Sequence, residues 1–299
     1  MDAAKFPTLD PELASVLEFL PDMTGAMDDV IASREMLAAL IPGGPVPGEE
    51  LLDISDVEHE GTRLRLYRPR TGTQVGVLYV HGGGFCLGDV ETEHGGAVQV
   101  ANACDAVVVS VDYRLAPEHP YPAALDDCYA GLVYLSGLVS RVAVHGQSAG
   151  GGLAAALALR VRDTSGPQIV FQSLLMPELD DRLETPSMRS FVDTPLWSRP
   201  QAVKSWEYYL GGRKADSWAA PTRAEDLCGL PPAHVTVMEL DPLRDEGIDY
   251  ATRMLQAGVS VELHAYPGTF HGAALAQNAA VCRRMSDDML NALRSGLHR

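Results

Sequence analysis

A chain of 299 residues, 46% of them apolar, has material for one large α/β domain with an insertion or for two ordinary domains. Its formal charge of −17 disfavours nucleic acid as a partner, because phosphate binding needs basic clusters, and a small neutral substrate suits this surface better than a strongly anionic one. No run of about 18 uncharged apolar residues occurs, which speaks against stable membrane insertion. The opening residues lack the basic-then-apolar order of a secretory signal. Five scattered cysteines with no Cys-x-x-Cys pair suggest reduced thiols, so a cytoplasmic location is expected.

Residues 10–40 carry Leu13, Val16, Leu17 and Leu20, then Val30, Ile31, Met36, Leu37 and Leu40, at helical intervals. PDMTGAM lies between the two groups, so two helices are expected. IPGGPVPGEE then reads as a linker, and DISDVEHEGTRLRLYRPR alternates polar and apolar residues around a glycine turn, predicting an antiparallel hairpin. Short runs rich in β-branched residues follow at 75–80, 106–113, 141–146, 169–176 and 234–240. Their near-continuous hydrophobicity is that of strands buried on both faces of a parallel sheet. VSVELHAYPG (259–268) alternates more, as a strand near the sheet edge would. Helical stretches near 94–103, 121–137, 149–162, 244–257 and 273–296 separate these runs, predicting a mostly parallel α/β sheet flanked by helices.

Residues 177–215 break this alternation with prolines, aromatics and a predicted helix near 199–210, and they are too long for a simple loop. They read as an insertion folding over the sheet beside the amino-terminal helices. The expected organisation is a helical cap at 1–45, a core at 46–176, a cap insertion at 177–215 and the rest of the core at 216–299.

HGQSAGGG (145–152) contains Gly146-x-Ser148-x-Gly150, a weak signal when bare. Here it has context. RVAVHG reads as a strand ending at Gly146, and a helix begins just after Ser148. A turn this tight needs glycine on both sides and pushes the serine into an exposed position, while the helix N-terminus offers free N–H groups to an oxyanion. A serine hydroxyl also needs a base. His145 should point away from Ser148, and His59, His119, His234, His264 and His298 have no special context. His94 is ambiguous at the start of a helix. His271, in YPGTFHG after the last strand, can reach the carboxyl edge of the sheet, where open α/β sheets place their sites. Asp241, ending the strand in MELDPLRDEG, is the better partner for that histidine, since Asp245 and Glu246 fall in a first helical turn that favours acids anyway. The order Ser148, Asp241, His271 is that of an α/β-hydrolase triad. YVHGGGFCLGD follows the strand 75–80, and its three consecutive glycines can turn N–H groups toward a tetrahedral intermediate, with Ala149 supplying another donor. The lysine and Ser/Thr of a phosphate-binding loop are absent.

HGGGF, VDYRLAPEHPYPAALDD, GQSAGG, DPLRDEG and FHG, in that order, resemble the hormone-sensitive lipase family of α/β-hydrolases, the bacterial family IV carboxylesterases. The resemblance covers most of the chain from about residue 75. It implies an α/β-hydrolase fold with an amino-terminal helical cap, and a carboxylic ester hydrolase; a lidded apolar pocket of modest size would favour short- to medium-chain acyl esters. Ser148 would be the nucleophile, His271 the base and Asp241 its partner. Gly83, Gly84 and Ala149 would give the oxyanion N–H groups, with His81 and Gly82 completing the loop. Arg114 and Glu118 would brace the catalytic loops through ion pairs. Gln147 departs from the Asp or Glu that many members carry before the nucleophile, removing a negative charge beside the site.

The chemistry calls for no metal or organic cofactor. A lactonase or amidase using the same triad is the alternative. Phe85, Leu87, Trp197, Trp206, Tyr208 and Tyr209 could line an apolar pocket, although core or cap packing accounts for each equally well. The family's pairing at its sheet edge implies a homodimer through the last strand.

Overall fold

The computed structural model of the chain describes residues 5–41 and 44–299. Residues 1–4 of the expected amino-terminal unit, and 42–43 of the expected linker, lie outside the described residues.

Eight strands form one sheet: β1 (Leu52–His59), β2 (Thr62–Pro69), β3 (Val75–Val80), β4 (Val107–Asp112), β5 (Arg141–Gln147), β6 (Ile169–Leu175), β7 (Ala233–Leu240) and β8 (Val261–Phe270). Their order is β1-β2-β4-β3-β5-β6-β7-β8. β1 and β2 make the expected hairpin, in register from Leu52↔Pro69 to His59↔Thr62. Glu60 and Gly61 form its two-residue turn with φ of 51° and 80°, both positive as a primed turn requires. β2 pairs antiparallel with β4, and every pair from β4 through β3 to β8 is parallel.

The helices are α1 (Pro11–Ala14), α2 (Val30–Leu40), α3 (His94–Cys104), α4 (Ala123–Ser136), α5 (Ala149–Thr164), α6 (Pro186–Ser190), α7 (Arg199–Leu210), α8 (Arg244–Gln256) and α9 (Ala280–His298). The strand periodicity explains their layering. On β3, Leu78 and Val80 join the core beneath α4, α5 and α8, while Val77 and Tyr79 join a second core with α3 and α9. Both faces are therefore covered, which is why the central runs are almost wholly apolar.

Three elements differ from expectation. The first amino-terminal helix is only Pro11–Ala14, followed by a 3₁₀ turn at Leu17–Phe19; Ser15 closes the helix by donating its hydroxyl to the Glu12 carbonyl (2.7 Å), while Leu13 and Leu17 still share a core with Phe270 and Met176. β8 runs past Pro267 and Gly268 to Phe270, because it lies at the sheet edge, where a proline costs no interior ladder bond, and because its register shifts at Met238/Leu240. The expected helix 273–296 is a 3₁₀ turn at Ala273–Leu275 and a separate α9, whose Ala280 N–H is taken by the Glu12 carboxylate at 2.5 Å.

All five cysteines are free thiols. Among the described residues no helix is long and apolar enough to cross a membrane.

Candidate active site

Ser148 sits between β5 and α5 with φ 55° and ψ −123°, a conformation that turns its side chain out of the strand-to-helix junction. The flanking glycines are sterically required. A Cβ on Gly146 would stand 2.2 Å from the carbonyl oxygen of Gly150, and one on Gly150 would stand 2.2 Å from that of Val80. The Ser148 N–H donates to the carbonyl of Leu175 (2.8 Å), and its own carbonyl accepts from Gly152 and Glu178 (3.0 Å each), so the end of β6 holds the turn.

β7 ends one residue before Asp241 and β8 one residue before His271, and these parallel neighbours deliver both side chains to the same rim. His271 Nε2 lies 3.0 Å from Ser148 Oγ, and His271 Nδ1 lies 2.8 Å from Asp241 Oδ2. The other Asp241 oxygen accepts the Leu243 N–H at 2.8 Å, which fixes the carboxylate plane. All three side chains are buried, with Ser148 at 5% exposure, Asp241 at 0% and His271 at 7%. Chemically this is a hydroxyl poised to lose its proton to an oriented imidazole.

The loop after β3 approaches the serine from the other side. Among the described residues nothing accepts the N–H of Gly83, Gly84 or Ala149, so all three are free to meet a developing negative charge. His81 stacks on Tyr113 with ring centres 4.0 Å apart and contacts the Gly82 carbonyl through Nδ1 (2.8 Å), while Tyr113 donates to the His81 carbonyl (3.1 Å). Burial pushes the His81 imidazole down to about 4, so it packs as a neutral ring.

A family model described as alpha/beta hydrolase fold matches residues 77–275, from β3 to beyond His271. The chain belongs to that family. This α/β-hydrolase is 40% identical over 284 residues to Esterase LipI of Mycobacterium tuberculosis, covering 89% of the present chain and 88% of the relative. It is 32% identical over 287 residues to an arylesterase of Saccharolobus solfataricus, covering 88% and 91% of the two chains. It superposes on a solved bacterial heroin esterase with a TM-score of 0.93 and 46% identity, covering 99% and 100%. The likeness to the hormone-sensitive lipase branch is upheld, and the fold is that of serine hydrolases.

The remaining residues singled out in the sequence divide by position. Trp197 is at the site: its ring centre is 5.8 Å from that of His271, and a Cβ on Gly84 would touch its ring at 2.5 Å. Phe85, Trp206 and Tyr209 are packed against one another, Phe85 stacking on Tyr209 at 3.9 Å, with 1–2% exposure each. These rings fill the seam between the loop after β3 and α7, so they pack against one another instead of facing open space. Leu87 is buried among Met27, Met188 and Ala202, with Tyr208 at the edge of the same cluster. His145 faces away from Ser148 and contacts Ser173 Oγ at 3.0 Å, and burial depresses it to about 3. Asp245 accepts from the Ser187 N–H, and Glu246 from those of Leu179 and Asp180, so both acids hold loops in place. Arg114 pairs with buried Asp127 of α4 at 2.8 Å, and Glu118 pairs with Arg34 of α2 at 2.8 Å.

Sequence reasoning missed three side chains around the site. Arg34 donates to the carbonyls of Cys86 (2.8 Å) and Ala116 (2.9 Å) as well as to Glu118. Glu178, fully buried, reaches Ser205 Oγ of α7 at 3.0 Å, and the same hydroxyl lies 3.0 Å from the Gly84 carbonyl. Glu93 accepts from Gln147 Nε2 (2.5 Å) and from the Tyr79 hydroxyl (2.9 Å). Only Glu178 left a trace in the sequence, as an acid three residues past the end of β6, just after Pro177.

Proposed function

We propose that this α/β-hydrolase is a carboxylic ester hydrolase that cleaves neutral esters of short to medium acyl chain through an acyl-enzyme. The observation that carries the reading is the continuous path from Ser148 Oγ through His271 to Asp241, at 3.0 and 2.8 Å. Ser148 Oγ attacks the ester carbonyl carbon as His271 Nε2 takes its proton, and Asp241 steadies the imidazolium through the Nδ1–H. The tetrahedral oxyanion is held by the N–H groups of Gly83, Gly84 and Ala149, each good donor contributing on the order of 3 kcal/mol to the transition state. Collapse expels the alcohol, which takes the proton from His271. Water then attacks the acyl carbon as His271 takes its proton, and collapse releases the acid as His271 returns that proton to Ser148 Oγ. No step calls for a metal or an organic cofactor.

The esterase and arylesterase names of the relatives support ester over amide cleavage. Trp197, beside both His271 and Gly84, supports a compact apolar subsite for the acyl or alcohol group. In the same reading the amino-terminal segment to residue 45 and residues 177–215 act as a two-part helical cap on the core segments 46–176 and 216–299. The Gln201 amide donating to the Met23 carbonyl (3.0 Å) and the Lys204–Asp28 ion pair, which join the two parts, support that division. β8 ends the sheet, and its outer edge supports pairing of two copies into a homodimer, which light scattering on the eluting protein would weigh directly.

The test of the chemistry is a panel of p-nitrophenyl esters of increasing acyl length with lactones and anilides beside them, together with fluorophosphonate labelling. Stoichiometric label on Ser148, turnover of the shorter esters and loss of both in Ser148→Ala are expected. Full turnover by Ser148→Ala would defeat the assignment, and faster anilide or lactone cleavage would move it to the alternative class.

A further inference from the structure

We propose that His234, Glu262 and His264 form a binding site for a divalent transition-metal cation of the Zn²⁺ type, separate from the ester-cleaving site. Side chains two apart on a strand share a face, so Glu262 and His264 of β8 project together. The β7–β8 register sets His234 opposite Glu262 and Thr236 opposite His264, which puts His234 on that same face as the third corner of a triangle. One potential ligand atom from each of the three lies within 4.8 Å of the others. Two imidazoles and a carboxylate are a donor set that Zn²⁺ accepts, with a fourth position left to water. Ligands bonded at about 2.0–2.1 Å to a tetrahedral ion sit roughly 3.3 Å apart, so a small rotation of the His234 and His264 rings closes the set.

Two independent features point to a ligand. His264 Nε2 already faces Glu262 at 2.9 Å, while its Nδ1 lies 3.0 Å from the Tyr266 hydroxyl and 3.4 Å from Asp288 of α9. A hydroxyl and a carboxylate behind one ring nitrogen are what fix the tautomer and direction of a metal-bound histidine. The second feature is His234 itself. It has no exposed surface, and neither ring nitrogen has a hydrogen-bond partner among the described residues. A buried, unpaired nitrogen is a cost that a coordinate bond to an ion at this position removes. Solvent reaches the triangle past Glu262, which is exposed, and His264, which is half-buried. His234 lies near the start of β7 and Asp241 just past its end, so the two sites occupy opposite ends of the strand.

Zinc chloride titrated calorimetrically into the chelator-treated full chain is expected to saturate at one equivalent. Glu262→Gln and His264→Gln should each weaken binding at least about tenfold, and Tyr266→Phe, which strips the group behind His264, by about tenfold. Co²⁺ in place of Zn²⁺ should give tetrahedral visible bands that disappear in His264→Gln. Melting in chelator shows that each variant is folded, and Glu262→Gln should keep the parental ester turnover. Absence of saturable binding by the parent, or binding unchanged in both Glu262→Gln and His264→Gln, overturns the site.

Discussion

Arg34 of α2 and Glu118 of the loop after β4 face each other fork to fork, with both guanidinium–carboxylate contacts at 2.8 Å. The same guanidinium holds the Cys86 and Ala116 carbonyls, so one side chain ties the amino-terminal segment to the loop that carries Gly83 and Gly84. Glu118 is held down to about 2 by this partner. Hydrogen bonds from a charged group contribute about 1.5–3 kcal/mol each, and Arg34→Met removes several at once. A lower melting midpoint and a fall of about tenfold in kcat/KM are expected, the latter equivalent to about 1.4 kcal/mol at the transition state. Arg34→Lys keeps the charge but not the fork, and should recover little. Parental turnover by Arg34→Met would show that the clamp has no hold on the loop of Gly83 and Gly84.

Asp241 offers a sharper test of the triad, because its two oxygens have separate duties: one receives His271, the other the Leu243 N–H. Asp241→Asn keeps the shape but can present an N–H to His271 Nδ1, forcing the wrong tautomer. Turnover of a p-nitrophenyl ester should fall on the order of 10⁴-fold with the melting midpoint little changed. A loss below tenfold would mean that Asp241 does not orient the base.

What could be read from the sequence was what the chain writes locally. The turn around Ser148, the strand ends that carry Asp241 and His271, and the parallel sheet all follow from spacing and residue type over a few positions. Contacts between distant segments left no such mark. Nothing near Arg34 announces that it will meet Cys86 and Glu118, and nothing in KSWEYYL says that Ser205 will bridge Gly84 and Glu178. The aromatic side chains show the same limit. Phe85, Trp197, Trp206 and Tyr209 look alike as pocket candidates, yet packing buries three against one another and leaves Trp197 beside His271. His234 and His264 meet only because of the β7–β8 register.

Glu178 gives a pH dependence with a definite sign. Ser205 has one hydroxyl proton and two acceptors at 3.0 Å, the Gly84 carbonyl and Glu178. Both contacts are satisfied together only if Glu178 is a carboxylic acid donating to Ser205. Burial holds it there, raising it from an ordinary 4.5 to about 8. A carboxyl raised on folding contributes its full stability below the unfolded value and loses it as pH climbs through the folded one. Stability should therefore decline between pH 5 and pH 8 or so on account of this group. Glu178→Gln keeps a donor and cannot ionise, so its melting midpoint should match the parent near pH 5 and exceed it by a few degrees near pH 8. Parallel curves for parent and variant across that range would remove the buried acid from the argument.

Gln147 stands where the family resemblance leads one to expect an Asp or Glu before the serine, and its partner explains how a neutral amide fits there. Its amide donates to Glu93 at 2.5 Å, and burial pushes that carboxyl up to about 7, so a neutral amide lies against an acid that stays protonated through the acidic range. Gln147→Glu sets two half-buried carboxyls against each other. They cannot both ionise cheaply, so they share a proton, and the second ionisation moves above that of Glu93 alone. The variant should melt within a few degrees of the parent near pH 5.5, where a shared proton serves as well as an amide. Near pH 8 it should melt several degrees lower. The double variant Glu93→Gln/Gln147→Glu exchanges the two roles and should restore most of the loss, which a general weakening of the turn would not allow. If Gln147→Glu tracks the parent at both pH values, the Gln147–Glu93 contact does not set the charge balance beside Ser148.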